Sequence, residues 1–334
     1  MWYRHLRSAL FALEPERAHR IALRAARLAG WLPAVRAAGN PVQLMGLRFP
    51  NRVGLAAGLD KNAAAVDGLG RLGFGFIEVG TVTPRPQPGH PRPRLFRIVA
   101  REALINRMGF PNVGAQSVVA RLQHRRYRGI IGVNIGKNAD TPLARAVDDY
   151  VACLRMVGAV SDYVAINISS PNTASLRDLQ SAERLEPLLE ALLSERDALV
   201  RSAGRPLPLL LKISPDLDAE GMQAVAQVAL RLRIDGLIVS NTTLQWQRGP
   251  DYDVPGGGGL SGAPLHALAL SVVRAMRTLM GPNVVIVGVG GVDCEQKALA
   301  MRRAGADLVQ IYTGLIYQGP ALVRRCSEAL SRTD

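Results

Sequence analysis

The stretch Tyr163–Thr173, read YVAINISSPNT, joins a short apolar run to a cluster of hydroxyl and amide side chains. The apolar part, Tyr163–Ile168, has the length and composition of a buried strand. The polar part comprises Asn167, Ser169, Ser170, Asn172 and Thr173, with Pro171 among them. Because these side chains carry no charge, they suit a site that holds a polar ligand and moves a proton. The same residue types also form turns for local reasons, and taken alone the stretch slightly favours such a turn.

Eight apolar runs of this kind follow one another after Pro41, with helical stretches between them. They are Val53–Ala56, Phe76–Val79, Ile130–Asn134, Tyr163–Ile168, Leu209–Ile213, Gly236–Val239, Val284–Val287 and Asp307–Ile311. The amphipathic stretches of helical length include Leu185–Val200, Ala219–Leu232 and Leu265–Met280. Apolar strands that alternate with helices indicate a parallel sheet, and eight such units predict an α/β fold of the closed (β/α)8 TIM-barrel type.

Polar side chains and glycines gather at the carboxyl end of each predicted strand, as in AAGLDK, GVNIGKN and LKISPD. Barrel active sites form on this face, whereas a doubly wound sheet would concentrate its glycines after the first strand. Gly290, Gly291 and Tyr312–Gly314 follow strands seven and eight, where barrels often bind phosphate, although tight turns use the same glycines. Lys212 ends an apolar strand and would need an anionic partner in the barrel mouth.

Length and composition fit one large domain with a small addition. The 334 residues are 48% hydrophobic and 20% charged, which suits a compact core. The three cysteines are far apart, so neither a disulfide framework nor a metal site is predicted, and a reducing compartment is the simplest interpretation. A formal net charge of +14 leaves nucleic acid, an anionic membrane surface and an anionic ligand open as partners.

The first 36 residues carry seven arginines and two glutamates, a surplus of five positive charges. Trp, Phe and Leu lie between the arginines at spacings that predict two short amphipathic helices broken near Pro15. Such basic helices can lie in a membrane interface, but two ordinary helices packed on the main domain fit equally well. Arginine interrupts the segment too often for a transmembrane helix or for the apolar region of a signal peptide.

Eleven short motifs together connect the chain with one family. They are AAGLDKN, GTVTPRPQPG, PRLFR, INRMGF, GVNIGKN, NISSPNT, LKISPD, SNTT, GGLSG, VGGV and QIYTG, in this order. In this combination the sequence resembles the quinone-dependent (class 2) dihydroorotate dehydrogenases, over essentially the whole chain and including LEPERAHRIAL around His19. The resemblance implies oxidation of (S)-dihydroorotate to orotate in pyrimidine (UMP) biosynthesis. It also implies FMN at the barrel mouth and a membrane quinone as electron acceptor.

The resemblance assigns site residues motif by motif. It implies FMN contacts for Ala57, Gly58, Leu59, Asp60, Lys61, Thr81, Asn134, Asn167, Lys212, Ser240, Gly262, Gly291, Tyr312 and Thr313. It implies substrate contacts for Lys61, Asn106, Arg107, Met108, Gly109, Phe110, Asn167, Asn172, Asn241 and Thr242. By the same resemblance Ser170 is the catalytic base, and His19 and Arg97 lie near the quinone path. The family usually has threonine where Ser240 stands, and a hydroxyl remains there.

The expected chemistry removes a proton from C5 of dihydroorotate and a hydride from C6, so a base must face one carbon and the flavin the other. A neutral serine must lose its own proton as it accepts another. We expect Ser170 to do so through Thr173 and a water, with turnover that rises into the alkaline range. Lys212 would supply positive charge near the reduced flavin.

By the same resemblance the chain divides into a membrane-associating two-helix segment at residues 1–40 and a catalytic barrel at residues 41–334. We expect a monomer that is peripheral on the cytoplasmic face of the cell (inner) membrane, without a nucleic-acid partner. Deletion of residues 1–40 is expected to spare flavin reduction and to lower quinone reduction. The loop Gln247–Gly259 is expected to be mobile.

Two other interpretations compete with this one. Another FMN barrel, such as a dihydrouridine synthase acting on RNA, would use the positive charge, but it would need an RNA-binding module and a reactive cysteine in place of Ser170. An inactive barrel serving as a membrane scaffold would lack site residues. Lys61, Asn134, Ser170 and Lys212 are all present, and this favours an enzyme.

Overall fold

A computed structural model describes residues 2–31, 38–173, 175–248, 254 and 256–332. The strands in chain order are β1 (Val42–Leu44), β2 (Leu47–Phe49), β3 (Val53–Leu55), β4 (Phe76–Val82), β5 (Leu95–Ile98), β6 (Ala103–Asn106), β7 (Ile130–Ile135), β8 (Tyr163–Asn167), β9 (Leu209–Ile213), β10 (Gly236–Val239), β11 (Gly259–Gly262), β12 (Val285–Val289) and β13 (Leu308–Ile311). The helices are α1 (Trp2–Phe11), α2 (Pro15–Ala29), α3 (Val66–Gly70), α4 (Ala115–Gln123), α5 (Ala146–Val157), α6 (Ala182–Ala203), α7 (Ala219–Arg231), α8 (His266–Met280), α9 (Glu295–Arg303), α10 (Thr313–Gln318) and α11 (Ala321–Ser331).

Eight parallel strands close into a barrel in the order β3, β4, β7, β8, β9, β10, β12 and β13, and β13 pairs back onto β3. The predicted (β/α)8 barrel is therefore confirmed, and each of the eight predicted strands overlaps an observed one. The largest differences in bounds are at β4, which continues to Val82, and at β12, which continues to Val289. Both extensions carry the chain into the loops that line the barrel mouth.

Large side chains fill the lower part of the barrel because glycines face them. The rings of Phe49 and Phe76 lie 5.4 Å apart in an edge-to-face arrangement, and Phe76 lies 6.3 Å from Tyr163. A β-carbon on Gly54 would overlap the Phe76 ring, and one on Gly132 would overlap the Tyr163 ring. Small and large residues thus interlock across neighbouring strands and close the barrel below the site.

A second, antiparallel sheet of β5, β6 and β11 is connected to the barrel by loops at its mouth. The sequence contains this sheet within the motifs PRLFR, INRMGF and GGLSG, but the alternation of strands and helices did not predict it. Leu95 and Leu104 of this sheet line both of the cavities described below. The loop Gln247–Gly259, which leads into β11, includes residues 249–253 and 255, which lie outside the described residues.

The two predicted N-terminal helices are present as α1 and α2, and the break falls at Ala12–Glu14, just before Pro15. Glu14 caps α2 by accepting hydrogen bonds from two backbone N–H groups, and Pro15 begins the helix. Tyr3 donates a hydrogen bond of 2.7 Å to the carbonyl of Ile316, so α1 is held against α10. Whether residues 1–40 form a separate unit stays a prediction.

The outer surface of these helices is partly apolar. Leu28 and Trp31 have 71% and 77% of their surface exposed, and Leu6 and Ile21 are also exposed. Within the described part of the chain, no helix combines the length and apolar character needed to cross a bilayer.

Candidate active site

A cavity opens at the carboxyl ends of the barrel strands and brings together most of the predicted site residues. Those that line it are Ala57, Gly58, Lys61, Thr81, Asn106, Met108, Gly109, Phe110, Asn167, Ser170, Asn172, Lys212, Ser240, Asn241, Thr242, Gly262, Gly291, Tyr312 and Thr313. The sequence did not single out Glu16, Ser261 or Gln310, which line it as well. The lining residues come from seven of the eight strand ends, all except that of β7, and from the small sheet, its loops and α2.

Four predicted contact residues lie outside the cavity lining. The Asp60 carboxylate accepts from the N–H groups of Asn62, Ala64 and Ala65, and so shapes the loop that carries Lys61. Asn134 lies beneath the cavity, between Thr81 and Glu78. Leu59 lines a second cavity beside the first. Arg107 donates a hydrogen bond to the carbonyl of Pro93.

Ser170 lies in a buried loop that follows β8 and faces the cavity. Its Oγ accepts a hydrogen bond of 3.2 Å from the N–H of Asn172, which fixes the direction of the hydroxyl oxygen. Among the described residues, no carboxylate or histidine hydrogen-bonds to Ser170. The hydroxyl therefore has no ionisable partner of the kind that activates a serine in a Ser-His pair.

Four asparagine side chains around Ser170 form two hydrogen-bonded pairs. Asn172 Nδ2 donates to Asn106 Oδ1 at 3.1 Å, and Asn241 Nδ2 lies 3.3 Å from Asn167 Oδ1. Amides both donate and accept, so this wall can bind a planar ligand whose edge presents alternating N–H and C=O groups. Convergence of four amides on one cavity is more than isolated turns would produce.

Glu78 forms the floor of the site as a fully buried carboxylate. Asn134 Nδ2, Tyr163 Oη and Gln310 Nε2 donate hydrogen bonds to it at 2.9, 3.0 and 2.6 Å. Lys212 Nζ lies 3.9 Å from Glu78 Oε1 and supplies the opposite charge. Burial lowers the pKa of Lys212, while Glu78 raises it. Glu78 is thus one anionic partner of the kind that the sequence predicts for Lys212.

Glycines give the loops after β12 and β13 their close approach to the cavity. Gly291 has φ +65°, and a β-carbon there would lie 2.7 Å from His266 Cβ and 2.8 Å from the carbonyl oxygen of Gly262. A β-carbon on Gly314 would overlap the carbonyl of Val292. Backbone, and not side chains, therefore forms this end of the cavity, as anion-binding loops require.

Lys61 and His19 lie on the side of the cavity that faces α2. Lys61 Nζ donates to the carbonyl of Gly58 at 2.7 Å, and burial lowers the pKa of Lys61 to about 8, against the raising effect of Glu16. Burial, together with the nearby charge of Lys61, lowers the pKa of His19 to about 4. His19 is therefore a neutral imidazole at pH 7.

A second, largely apolar cavity lies between α1, α2, the small sheet and α10. His19, Leu95, Leu104 and Tyr312 line both cavities and so form a shared wall. Arg97 also lines the second cavity; its guanidinium carbon lies 4.7 Å from the Phe11 ring centre, and the group hydrogen-bonds to the carbonyl of Leu13. The two residues predicted near a quinone path thus both face this cavity.

The closed barrel, the polar cavity at its mouth and the adjoining apolar cavity define a (β/α)8-barrel oxidoreductase with an N-terminal helical extension. Residues 41–333 match the family model described as dihydroorotate dehydrogenase, and the chain belongs to this family. The family is flavin-dependent in general. This result favours the first of the three interpretations over an RNA-modifying barrel or an inactive scaffold.

Similar proteins span almost the whole chain. A protein of Herminiimonas arsenicoxydans named dihydroorotate dehydrogenase (quinone) is 50% identical over 337 residues, which cover 98% of this chain and 97% of that protein. One of the same name from Burkholderia multivorans is 52% identical and covers 98% and 96%. The ligand-free DHODH structure from Eimeria tenella has a TM-score of 0.87 at 40% identity, covering 95% of this chain and 94% of that one. Its complex with ferulenol gives the same TM-score and identity.

Proposed function

We propose that this protein oxidises dihydroorotate to orotate in pyrimidine biosynthesis and passes the two electrons through bound FMN to a membrane quinone. The observation that carries the proposal is the pair of cavities with a shared wall. One is lined by hydroxyls, amides and lysines, which suits a polar, anionic reductant. The other is apolar and lies beside a basic amphipathic segment, which suits a lipid-soluble oxidant.

The residues at the barrel mouth fit FMN. Backbone at Gly291 and at Tyr312–Gly314 can approach a phosphate closely, because no β-carbon could be accommodated at the two glycines. Lys212 is buried with a single carboxylate nearby, and Gln310 Oε1 has no hydrogen-bond partner in the described part of the chain. A polar heterocycle above them would satisfy both groups. FMN supplies the hydride acceptor when bound, and Lys212 stabilises negative charge on it.

Ser170 is the proposed base that takes the C5 proton of dihydroorotate. Asn172 N–H orients its Oγ toward the cavity, so the oxygen is positioned before the substrate binds. Since no ionisable side chain in the described residues hydrogen-bonds to Ser170, its own proton is proposed to leave through Thr173 and a water as it accepts the C5 proton. Proton transfer of this kind is favoured by hydroxide, which supports turnover that rises with pH.

The amides and Lys61 are the proposed substrate clamp. Asn106, Asn172 and Asn241 present donors and acceptors that match the edge of a pyrimidine. Lys61 is held beside Gly58 and offers positive charge to the substrate carboxylate. The remaining predicted contacts, among them Met108–Phe110 and Thr242, complete the same wall.

For reoxidation, we propose that quinone enters the apolar cavity from the membrane, past Arg97 and His19. Exposed Leu28 and Trp31, together with the arginines of α1 and α2, support attachment of this end to the cytoplasmic face of the membrane. We also propose that the functional unit is a monomer.

The test is anaerobic mixing of the purified, FMN-loaded protein with dihydroorotate. We expect the flavin absorbance to bleach, and to return when a short-chain quinone is added. Ser170→Ala is the control, since it should retain the flavin and lose the bleaching. A wild-type protein that binds no FMN, or whose flavin is indifferent to dihydroorotate, would refute the proposal.

A further inference from the structure

Glu16 is an N-terminal residue that belongs physically to the catalytic cavity. It lies in the first turn of α2, yet it is 6% exposed and lines the polar cavity. Its Oε1 lies 3.0 Å from Nε of Arg94, which is also buried, and its Oε2 lies 2.6 Å from Nε of the half-exposed Arg92. A buried carboxylate on a basic amphipathic helix is unusual, and membrane attachment or helix formation does not require it.

A chain of hydrogen bonds leads from Glu16 to the catalytic loop. Arg94 Nη1 donates to the carbonyls of Pro88 and His90 at 2.6 and 2.8 Å, so the Glu16–Arg94 pair holds the turn at residues 88–90. His90 Nε2 lies 2.6 Å from the carbonyl oxygen of Asn172. Asn172 in turn donates through its backbone to Ser170.

The hydrogen-bonded residues between Glu16 and Ser170 have little room for movement. Gly89 has φ +73°, and a β-carbon there would lie 2.8 Å from Arg94 Nη1. A β-carbon on Gly109 would overlap the His90 ring, and the N–H of His90 is bonded to the carbonyl of Met108 at 3.0 Å. Because the turn is packed this closely, displacement of Arg94 must move His90 and with it Asn172.

Glu16 and Lys61 line the same cavity. Among the charges near Lys61, Glu16 has the largest effect that raises its pKa, while burial and Arg94 lower it. Without the carboxylate, Lys61 and Arg94 would be neighbouring buried cations with less compensation. One residue of α2 therefore influences both the loop that carries Ser170 and the lysine on the opposite side of the cavity.

We propose that Glu16 is a positioning residue for dihydroorotate, acting through Arg94 and His90 on Asn172 and Ser170 and directly on Lys61. The inference rests on the proposed function and deepens it, because the N-terminal segment becomes part of the substrate site as well as of the quinone site. Deletion of residues 1–40 should then weaken dihydroorotate binding in addition to quinone reduction, which differs from the expectation drawn from the sequence.

The test uses full-length, FMN-loaded Glu16→Gln. The half-saturating dihydroorotate concentration for flavin bleaching, and the Kd of orotate read from the flavin spectrum, should each rise by about tenfold, since small misplacements of positioned groups have effects of this size or larger. The KM for quinone should change by less than about twofold. Arg92→Ala is the matched control, because it removes the exposed half of the same ion-pair cluster, and it should bind orotate as wild type does.

Two further variants separate positioning from folding. Glu16→Asp keeps the charge and should recover part of the orotate affinity. His90→Ala breaks the chain far from α2 and should weaken orotate binding while the KM for quinone is preserved. Wild-type orotate affinity in Glu16→Gln, or in His90→Ala, would overturn the inference. A wild-type flavin that dihydroorotate does not bleach would instead overturn the proposed function.

Discussion

Replacement of Glu78 by glutamine tests the electrostatic floor of the site. The carboxylate is fully buried, receives three hydrogen bonds and lies 3.9 Å from Lys212 Nζ. Glutamine preserves the shape of the side chain and removes its charge, so Lys212 stays buried without an anionic neighbour. We expect Glu78→Gln to be strongly destabilising although it is nearly isosteric.

The distance sets the magnitude. Two unit charges 3.9 Å apart in a medium of effective dielectric constant about 20 attract by about 4 kcal/mol, which lies within the 3–5 kcal/mol typical of breaking a buried pair. A large domain loses about 2 °C in Tm per kcal/mol, so Tm should fall by roughly 8 °C. The amide also places a donor against existing donors, which makes this a lower bound.

The effect should depend on pH in a defined direction. Burial already lowers the pKa of Lys212, and loss of Glu78 lowers it further. Above its new pKa Lys212 is neutral in the folded variant, while it is still protonated in the unfolded chain. The unfolded state then binds more protons, so the stability of the variant rises with pH relative to wild type. The difference in Tm between wild type and Glu78→Gln should be larger at pH 6 than at pH 9.

Thermal unfolding of a double-mutant cycle, with FMN in excess, is the assay. Glu78→Gln and Lys212→Met should each destabilise, and the double variant should be much more stable than the sum predicts, because neither charge is left alone. Tyr163→Phe removes one neutral donor from the same carboxylate and should cost about 1–3 kcal/mol. The reasoning would be refuted if the stability losses of the two single variants simply added in the double variant. A Tm of Glu78→Gln within about 1 °C of wild type would refute it as well.

Three further predictions concern the base, the phosphate end and His19. Ser170→Ala should slow flavin bleaching by dihydroorotate at least about 100-fold while orotate still binds. An unchanged rate in this variant would exclude Ser170 as the base. Ser170→Cys should restore part of the rate, with an optimum at lower pH, because a thiol has a lower pKa than a hydroxyl. Gly291→Ala should weaken FMN binding at least about tenfold in a fluorescence titration, because the new methyl group would strike His266 and the backbone of Gly262. Gly204→Ala is its control, since Gly204 has a similar φ of +63° and no neighbour within 4 Å; equal FMN affinity in the two variants would count against a close backbone approach. Finally, His19 has a pKa of about 4 when folded and about 6.5 when unfolded, so wild type should lose stability as pH falls from 6.5 to 4, and Tm of His19→Gln should vary less over this range.

The barrel was predictable because each strand is a short apolar run that ends in polar residues. The eight strands, the two N-terminal helices and most of the cavity lining follow from that pattern and from the motifs. The small antiparallel sheet was not, since polar residues such as Arg97 in β5 and Asn106 in β6 lie among the apolar residues of its strands. Short strands of this kind are defined by their partners, which local sequence does not specify.

Burial of charge was the other feature that the sequence could not supply. Glu16 follows Pro15 at the start of a helix, where acidic residues are common for reasons of capping and dipole. Only the approach of Arg94, 78 residues away, makes it a buried cavity residue. The bonds of Asn134 were not apparent either: its motif predicts a cofactor contact, which stays a prediction, and the structure adds that the side chain bonds to Glu78 and Thr81.

The packing of Gly132 against Tyr163 ties the evolution of the barrel interior to that of the active site. Tyr163 reaches Glu78 with its hydroxyl only because Gly132 leaves space for the ring. Alanine at position 132 would fit only with a smaller side chain at position 163. That second change would remove a hydrogen-bond donor from Glu78. Positions 132, 163 and 78 should therefore covary among descendants of this sequence, although Gly132 does not line the cavity.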